Sequence, residues 1–139
     1  MKKFKLDWDA FDFCIREISE RYQDSGIRLI IGVSRGGLVP AVKLSHNLNI
    51  PMKCLDWQTR DGSNKDINML LRLKRSYRAH EVLFVDDICD SGKTIEEIQS
   101  HFPSATFTTL VDNFPRKRLV DFAPMVGDPK KWMIFPWES

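Results

Sequence analysis

The run Val82-Leu83-Phe84-Val85-Asp86-Asp87-Ile88-Cys89-Asp90-Ser91-Gly92-Lys93-Thr94 passes from apolar residues through paired acids into a turn of small residues. Glu81 to Val85 predicts a buried strand, Asp86 to Lys93 a loop, and Thr94 to Phe102 a helix. A helix start offers free backbone N–H groups and a positive dipole end, which together bind a phosphate. Gly92 lets the backbone approach such a ligand closely, and Ser91 and Thr94 add hydroxyls. The paired carboxylates suit vicinal sugar hydroxyls or a divalent cation. A phosphorylated ribose satisfies both halves of the run. Gly92-Lys93-Thr94 could also end a triphosphate-binding P-loop, but that loop needs glycine where Asp87 stands, and a carboxylate there would repel the ligand.

The rest of the chain supplies a scaffold for this run. Leu29-Ile30-Ile31-Gly32-Val33 reads as a second buried strand, broken by Ser34-Arg35-Gly36-Gly37. Leu38 to Leu48 reads as a helix, with Pro40 tolerated in its first turn. Before them, Trp8, Phe11, Ile15, Ile18 and Tyr22 share one face of a helix over Asp9 to Tyr22. Ile50 to Trp57 and Ala105 to Val111 are further strands, and Asn68 to Arg78 is a basic amphipathic segment of open class. Gln58 to Asp66 contains no apolar residue and reads as a surface loop. The stretch from Asp112 onward is Pro-rich and reads as irregular. Strands alternating with helices predict an α/β fold with a mainly parallel sheet, whose ligands bind at the carboxyl ends of the strands.

Composition narrows the function classes. The 139 residues suit one domain over positions 1–139, and nine Phe and four Trp can build a core. The longest apolar runs are far short of the ~20 residues that a spanning helix needs, so no membrane span is expected. The start, Met-Lys-Lys-Phe-Lys-Leu-Asp, has no apolar core region of a secretory signal. Cys14, Cys54 and Cys89 are isolated, which suits a reducing, cytoplasmic location and disfavours zinc. The formal net charge of +2 is too weak to argue for nucleic acid, no nucleic-acid partner is expected, and Arg116-Lys117-Arg118 and Lys130-Lys131 read as solvated faces. His46, His80 and His101 form no constellation.

The Val82–Thr94 run resembles the phosphoribosyl-diphosphate signature of the type I phosphoribosyltransferases: apolar residues, two acids, two variable residues, then Asp-Ser/Thr-Gly-x-Thr. Val33-Ser34-Arg35-Gly36-Gly37-Leu38-Val39-Pro40 is similar to that family's pyrophosphate loop, and Gln58 to Asp66 stands where its lid stands. Leu119-Val120-Asp121 and the ending Trp132…Pro136-Trp137-Glu138 narrow the likeness to bacterial members that use xanthine, guanine or hypoxanthine. The resemblance implies that family's fold, a twisted sheet flanked by helices with a small irregular C-terminal hood over the base. It implies transfer of a phosphoribosyl group to a nucleobase, a 6-oxopurine, with Mg²⁺. Asp86 and Asp87 would hold the ribose hydroxyls, with Asp87 nearer the metal, and Asp90 would take the purine N7 proton. Ser91, Gly92, Lys93 and Thr94 would cradle the 5′-phosphate. Ser34, Arg35, Gly36 and Gly37 would meet the pyrophosphate across a cis Ser34–Arg35 peptide. Trp132 would stack on the base and the Met133 carbonyl would read its 2-substituent. Phosphoribosyl diphosphate and a nucleobase are then the partners, and a homo-oligomer, dimer or tetramer, is expected.

Two departures keep a rival open. The family's lysine for the purine 6-oxo group falls by alignment on Asn113, the nearest basic residues, Arg116 and Lys117, would need a shifted loop, and the lid arginine expected near Asn68 is absent, leaving Arg60 or Arg72. An amide carries both donor and acceptor and can flip, so Asn113 would discriminate less sharply against a 6-amino group. The rival is a non-catalytic module of the same fold that senses a nucleotide or phosphoribosyl diphosphate. Intact Asp86, Asp87 and Asp90 oppose it.

Overall fold

Leu29–Val33 and the start of Val82–Cys89 are apolar without alternation because both of their faces are covered. The computed structural model describes residues 1–58 and 64–138. Its elements are β1 (Lys2–Lys5), α1 (Trp8–Tyr22), β2 (Leu29–Val33), α2 (Leu38–Leu48), β3 (Met52–Leu55), α3 (Ile67–Ser76), β4 (Val82–Cys89), α4 (Lys93–His101), β5 (Thr106–Asp112), β6 (Met125–Val126) and β7 (Lys131–Ile134). The main sheet has the order β3-β2-β4-β5-β6, and each of its neighbours pairs in parallel. This is the expected parallel α/β arrangement.

Two packed layers follow from the alternation of side chains along the central strands. Leu29, Ile31, Val33, Val82 and Phe84 face α3 and α4, joining Leu70, Leu73, Ile95, Ile98 and Phe102. Ile30, Leu83 and Val85 face α1 and α2, joining Phe11, Ile15, Ile18, Ala41 and Leu44. Phe84 stacks on Phe107 of β5 with ring centroids 5.0 Å apart. Both layers hold β2 and β4 rigidly, and the loops that leave their carboxyl ends start from fixed points.

Several boundaries differ from the sequence expectations. β4 runs on to Cys89, pairing Asp86 with Thr109, Ile88 with Val111 and Cys89 with Asp112. Asp86 and Asp87 therefore stand on the strand and not in a loop, because backbone pairing with β5 continues where the apolar run stops. The open segment is helix α3, started by Asp66, whose carboxylate accepts from the Met69 N–H at 3.0 Å. β3 is shorter than Ile50 to Trp57, and Trp57 instead bridges Lys65 antiparallel. The C-terminal third is more regular than expected. Its strand β7 pairs in parallel with β1, which hydrophobic patterning could not show because Lys2–Lys5 is exposed throughout. Phe135, buried below β7, stacks on Trp137 at 5.1 Å, and Trp137 packs against Phe11 and Trp8 of α1. Among the described residues no helix is long and apolar enough to cross a membrane.

Candidate active site

The carboxyl ends of β2 and β4 lie side by side, since Gly32 pairs with Val85. The two loops leaving them therefore meet. Gly36, in the turn after β2, lies so close to Asp87 that a Cβ built on it would stand 2.3 Å from the Asp87 Oδ2. Only a glycine permits this approach, and the approach brings the Ser34–Gly37 turn against the paired acids. The Ser34–Arg35 peptide is cis. Ser34 is tied at both ends, its N–H donating to the Leu55 carbonyl at 2.9 Å and its hydroxyl to Asp56 at 3.1 Å. Arg35 is exposed beside this anchored turn.

The acids crowd one another. The Asp87 N–H donates to Asp86 Oδ1 at 2.8 Å, and the Ile88 N–H donates to Asp87 Oδ1 at 2.8 Å. Burial, and then the neighbouring Asp87 charge, hold the Asp86 carboxyl well above the usual range. Burial also raises Asp87, and the carboxylate of Glu138 adds to that rise. Two half-buried carboxyls side by side offer hard oxygen ligands to a magnesium-sized ion or to ribose hydroxyls. Among the described residues no group of three or more His, Cys, Asp or Glu forms a protein-only metal cage. The donor set fits an ion that takes its remaining oxygens from a substrate phosphate and water. Cys89, between the acids and Asp90, is buried and its thiol is pushed up to about 12, chiefly by burial, so it is no nucleophile.

Beyond β4 the chain turns at Gly92, whose φ of 85° is left-handed, and enters α4 at Lys93. The Ser91 hydroxyl accepts from the Lys93 N–H at 3.3 Å. Asp90 and Ser91 are exposed at the mouth of this turn, with Thr94 half-buried in the first turn of α4. Asn113 immediately follows β5 and is buried, its Nδ2 donating to Asp90 Oδ1 at 3.1 Å. The carboxamide, expected to be able to flip, is engaged through its Nδ2 by Asp90. Lys117, expected on a solvated face, donates from Nζ to the Ser91 carbonyl at 2.9 Å and lies 4.9 Å from the Phe114 ring centroid. A 3₁₀ turn over Pro115–Lys117 bends the chain back to the turn at Ser91 and puts the ammonium there. Sequence spacing missed it, although Pro115 signals a turn at that point.

Asp86, Asp87, Asp90, Gly36 and Asn113 are therefore drawn to adjoining strand ends. Trp132 and Met133 stand apart on the β1–β7 ribbon, in register with Lys3 and Phe4. Trp132 is 51% exposed, while Met133 packs against the core layer that holds Phe135. The middle of the expected lid, residues 59–63 with Arg60, lies outside the described residues. The base of that segment is closed by the Gln58 N–H donating to the Asn64 carbonyl at 2.8 Å, and by Lys65 paired with Glu97 at 3.0 Å.

Residues 6–135 match the model of the phosphoribosyl transferase domain family. The chain belongs to that family. A xanthine-guanine phosphoribosyltransferase from Cereibacter sphaeroides is 29% identical, with 99% of this chain and 87% of the relative aligned. One from Nitratidesulfovibrio vulgaris is 28% identical, with 99% and 86% aligned. Among solved structures, a purine phosphoribosyltransferase from Pyrococcus horikoshii superposes with a TM-score of 0.71 and 28% identity, covering 100% of this chain and 95% of that one. A xanthine-guanine-hypoxanthine phosphoribosyltransferase from Helicobacter pylori shares the fold, with a TM-score of 0.69 at 19% identity. The two-loop site of this phosphoribosyl transferase domain sits at the strand ends where an open parallel sheet binds its ligands.

Proposed function

We propose that the protein transfers the 5-phosphoribosyl group of phosphoribosyl diphosphate to a purine, giving a nucleoside monophosphate and pyrophosphate. The observation that carries this reading is the contact of Gly36 with the Asp87 carboxylate. It makes one site of a diphosphate-shaped turn and a ribose-phosphate run. Relatives named for xanthine and guanine extend the reading to a 6-oxopurine.

In this reading the turn from Ser91 to Thr94 holds the 5′-phosphate with its N–H groups and hydroxyls, and Lys93 adds charge. Asp86 and Asp87 orient the ribose through its hydroxyls. Ser34 to Gly37 receive the departing pyrophosphate through backbone N–H groups, and Arg35 adds a bidentate guanidinium. The bond from C1′ to the diphosphate oxygen breaks, and a bond from C1′ to purine N9 forms. The proton on purine N7 passes to Asp90. Trp132 and the Met133 carbonyl serve the base. Mg²⁺, held by Asp87 and the substrate, would neutralise charge on the leaving diphosphate. The residues supply alignment and charge stabilisation, which are the large terms for such a displacement. A homo-oligomer in the cytoplasm completes the proposal.

Asn113 in place of a lysine favours the second reading, a sensor of the same fold. Pyrophosphate release with Mg²⁺, phosphoribosyl diphosphate and a panel of purines and pyrimidines separates the two. Release with hypoxanthine, guanine or xanthine supports the transferase, release confined to pyrimidines sinks the purine assignment, and none with any base leaves the sensor.

A further inference from the structure

Asn113 is placed with unusual firmness. Its backbone N–H donates to the Cys89 carbonyl at 2.9 Å, which extends the β4–β5 pairing by one residue and fixes its Cα beside Asp90. The side chain is 8% exposed. Nδ2 donates to Asp90 Oδ1 at 3.1 Å, whereas Oδ1 is buried with no hydrogen-bond partner. That oxygen lies under Gly127, where a Cβ would come within 1.9 Å of it. Gly127 is itself held there by its N–H, which donates to the Asp112 carbonyl at 2.9 Å.

A buried amide oxygen without a donor is costly, so something must fix the carboxamide this way round. The Asp90 carboxylate does so, because it can only accept. Turning the amide over would set two acceptors against each other across the same 3.1 Å gap and gain no donor beneath Gly127. We propose that Asn113 is a positioning residue, which clamps Oδ1 of Asp90 and thereby turns only its own N–H edge toward the base. The proposal rests on the transferase reading for its consequences and on the geometry alone for the clamp. Held by one oxygen, the Asp90 carboxylate keeps Oδ2 for the purine N7 proton. With its own carbonyl buried, Asn113 can give a hydrogen bond to a 6-oxo group but has no acceptor for a 6-amino group. The flip that would relax discrimination against adenine is blocked by Asp90 and Gly127 together.

The clamp is tested without turnover by ¹H–¹⁵N spectra of the side-chain amides in wild type and in Asp90→Ala, a truncation at an exposed position. One Asn113 Nδ2 proton should lie downfield and exchange slowly in wild type, and move to the free-amide position in Asp90→Ala. An Asn113 signal that is the same in both overturns the clamp. Kinetics test its consequence. Asn113→Leu, branched at the same atom but without a donor, should lower kcat with hypoxanthine by about 10-fold or more, with KM for phosphoribosyl diphosphate within about 2-fold. The ratio of kcat/KM for hypoxanthine over adenine should fall by about 10-fold or more, the worth of one hydrogen bond to a charged or polar partner. An unchanged kcat or an unchanged ratio contradicts the positioning role. If wild type transfers to no purine, the transferase reading fails on that result, and the amide spectra still decide the clamp.

Discussion

Single atoms set the tolerances of this site. Gly36 is one such case, because any side chain there would displace the Asp87 carboxylate. Gly36→Ala should weaken binding of phosphoribosyl diphosphate by roughly 10-fold or more, since a 1 Å error in positioning is worth that much or more. Calorimetric titration of the variant gives the answer, and wild-type affinity would show that the two loops need not touch. Gly127 plays the same part behind Asn113. A methyl group there would strike the buried amide oxygen, so Gly127→Ala should lower kcat about as much as Asn113→Leu, on the order of 10-fold. Steady-state rates of the two variants and of the double variant check this. If the two losses add in full, Gly127 does not act through Asn113.

At the scale of elements, strand β4 carries a built-in cost. The Asp86 carboxyl is held above its ordinary range, first by burial and then by Asp87. A folded-state value above the unfolded one means that the folded protein binds the extra proton. The charged form therefore opposes folding, a penalty that is absent below about pH 4 and grows as pH rises toward the folded value. Asp86→Asn keeps an acceptor for the Asp87 N–H and removes the charge. It should raise the melting temperature of the ligand-free protein at about pH 8 and have no such effect near pH 4. A loss of stability at pH 8 would mean that the charge is already compensated. Much of this element was legible beforehand. The apolar start of β4, the paired acids and the glycine turn signalled a strand, a carboxylate pair and a helix start after Gly92. The strand's true end was not legible, because Asp86 to Cys89 are held by pairing with β5 and not by hydrophobic pattern. β1 was invisible for the same reason, being exposed and paired through its backbone with β7. The engagement of Asn113 with Asp90 joins residues from different strands, which no local spacing encodes.

Over the whole molecule, the hood is fastened to the main body by aromatic packing. Phe135 is buried, stacks on Trp137, and joins the layer formed by α1 and α2. Phe135→Ala should destabilise the fold by about 3–5 kcal/mol, as a large buried aromatic does. The denaturation midpoint measures it, and an unmoved midpoint would show the hood to be independently held. The proposed function stands on one convergence: the turn after β2, proposed to take the diphosphate, meets the run after β4, proposed to take the ribose phosphate with Asp90 as the base. Its most direct test is the rate of pyrophosphate release from phosphoribosyl diphosphate, Mg²⁺ and hypoxanthine, measured for wild type beside Asp90→Asn. Wild type should release pyrophosphate in a base-dependent manner, and Asp90→Asn should do so roughly 10²-fold more slowly, the usual scale for a proton-transfer group. Equal rates in the two proteins, or no release by wild type with any purine, would contradict it.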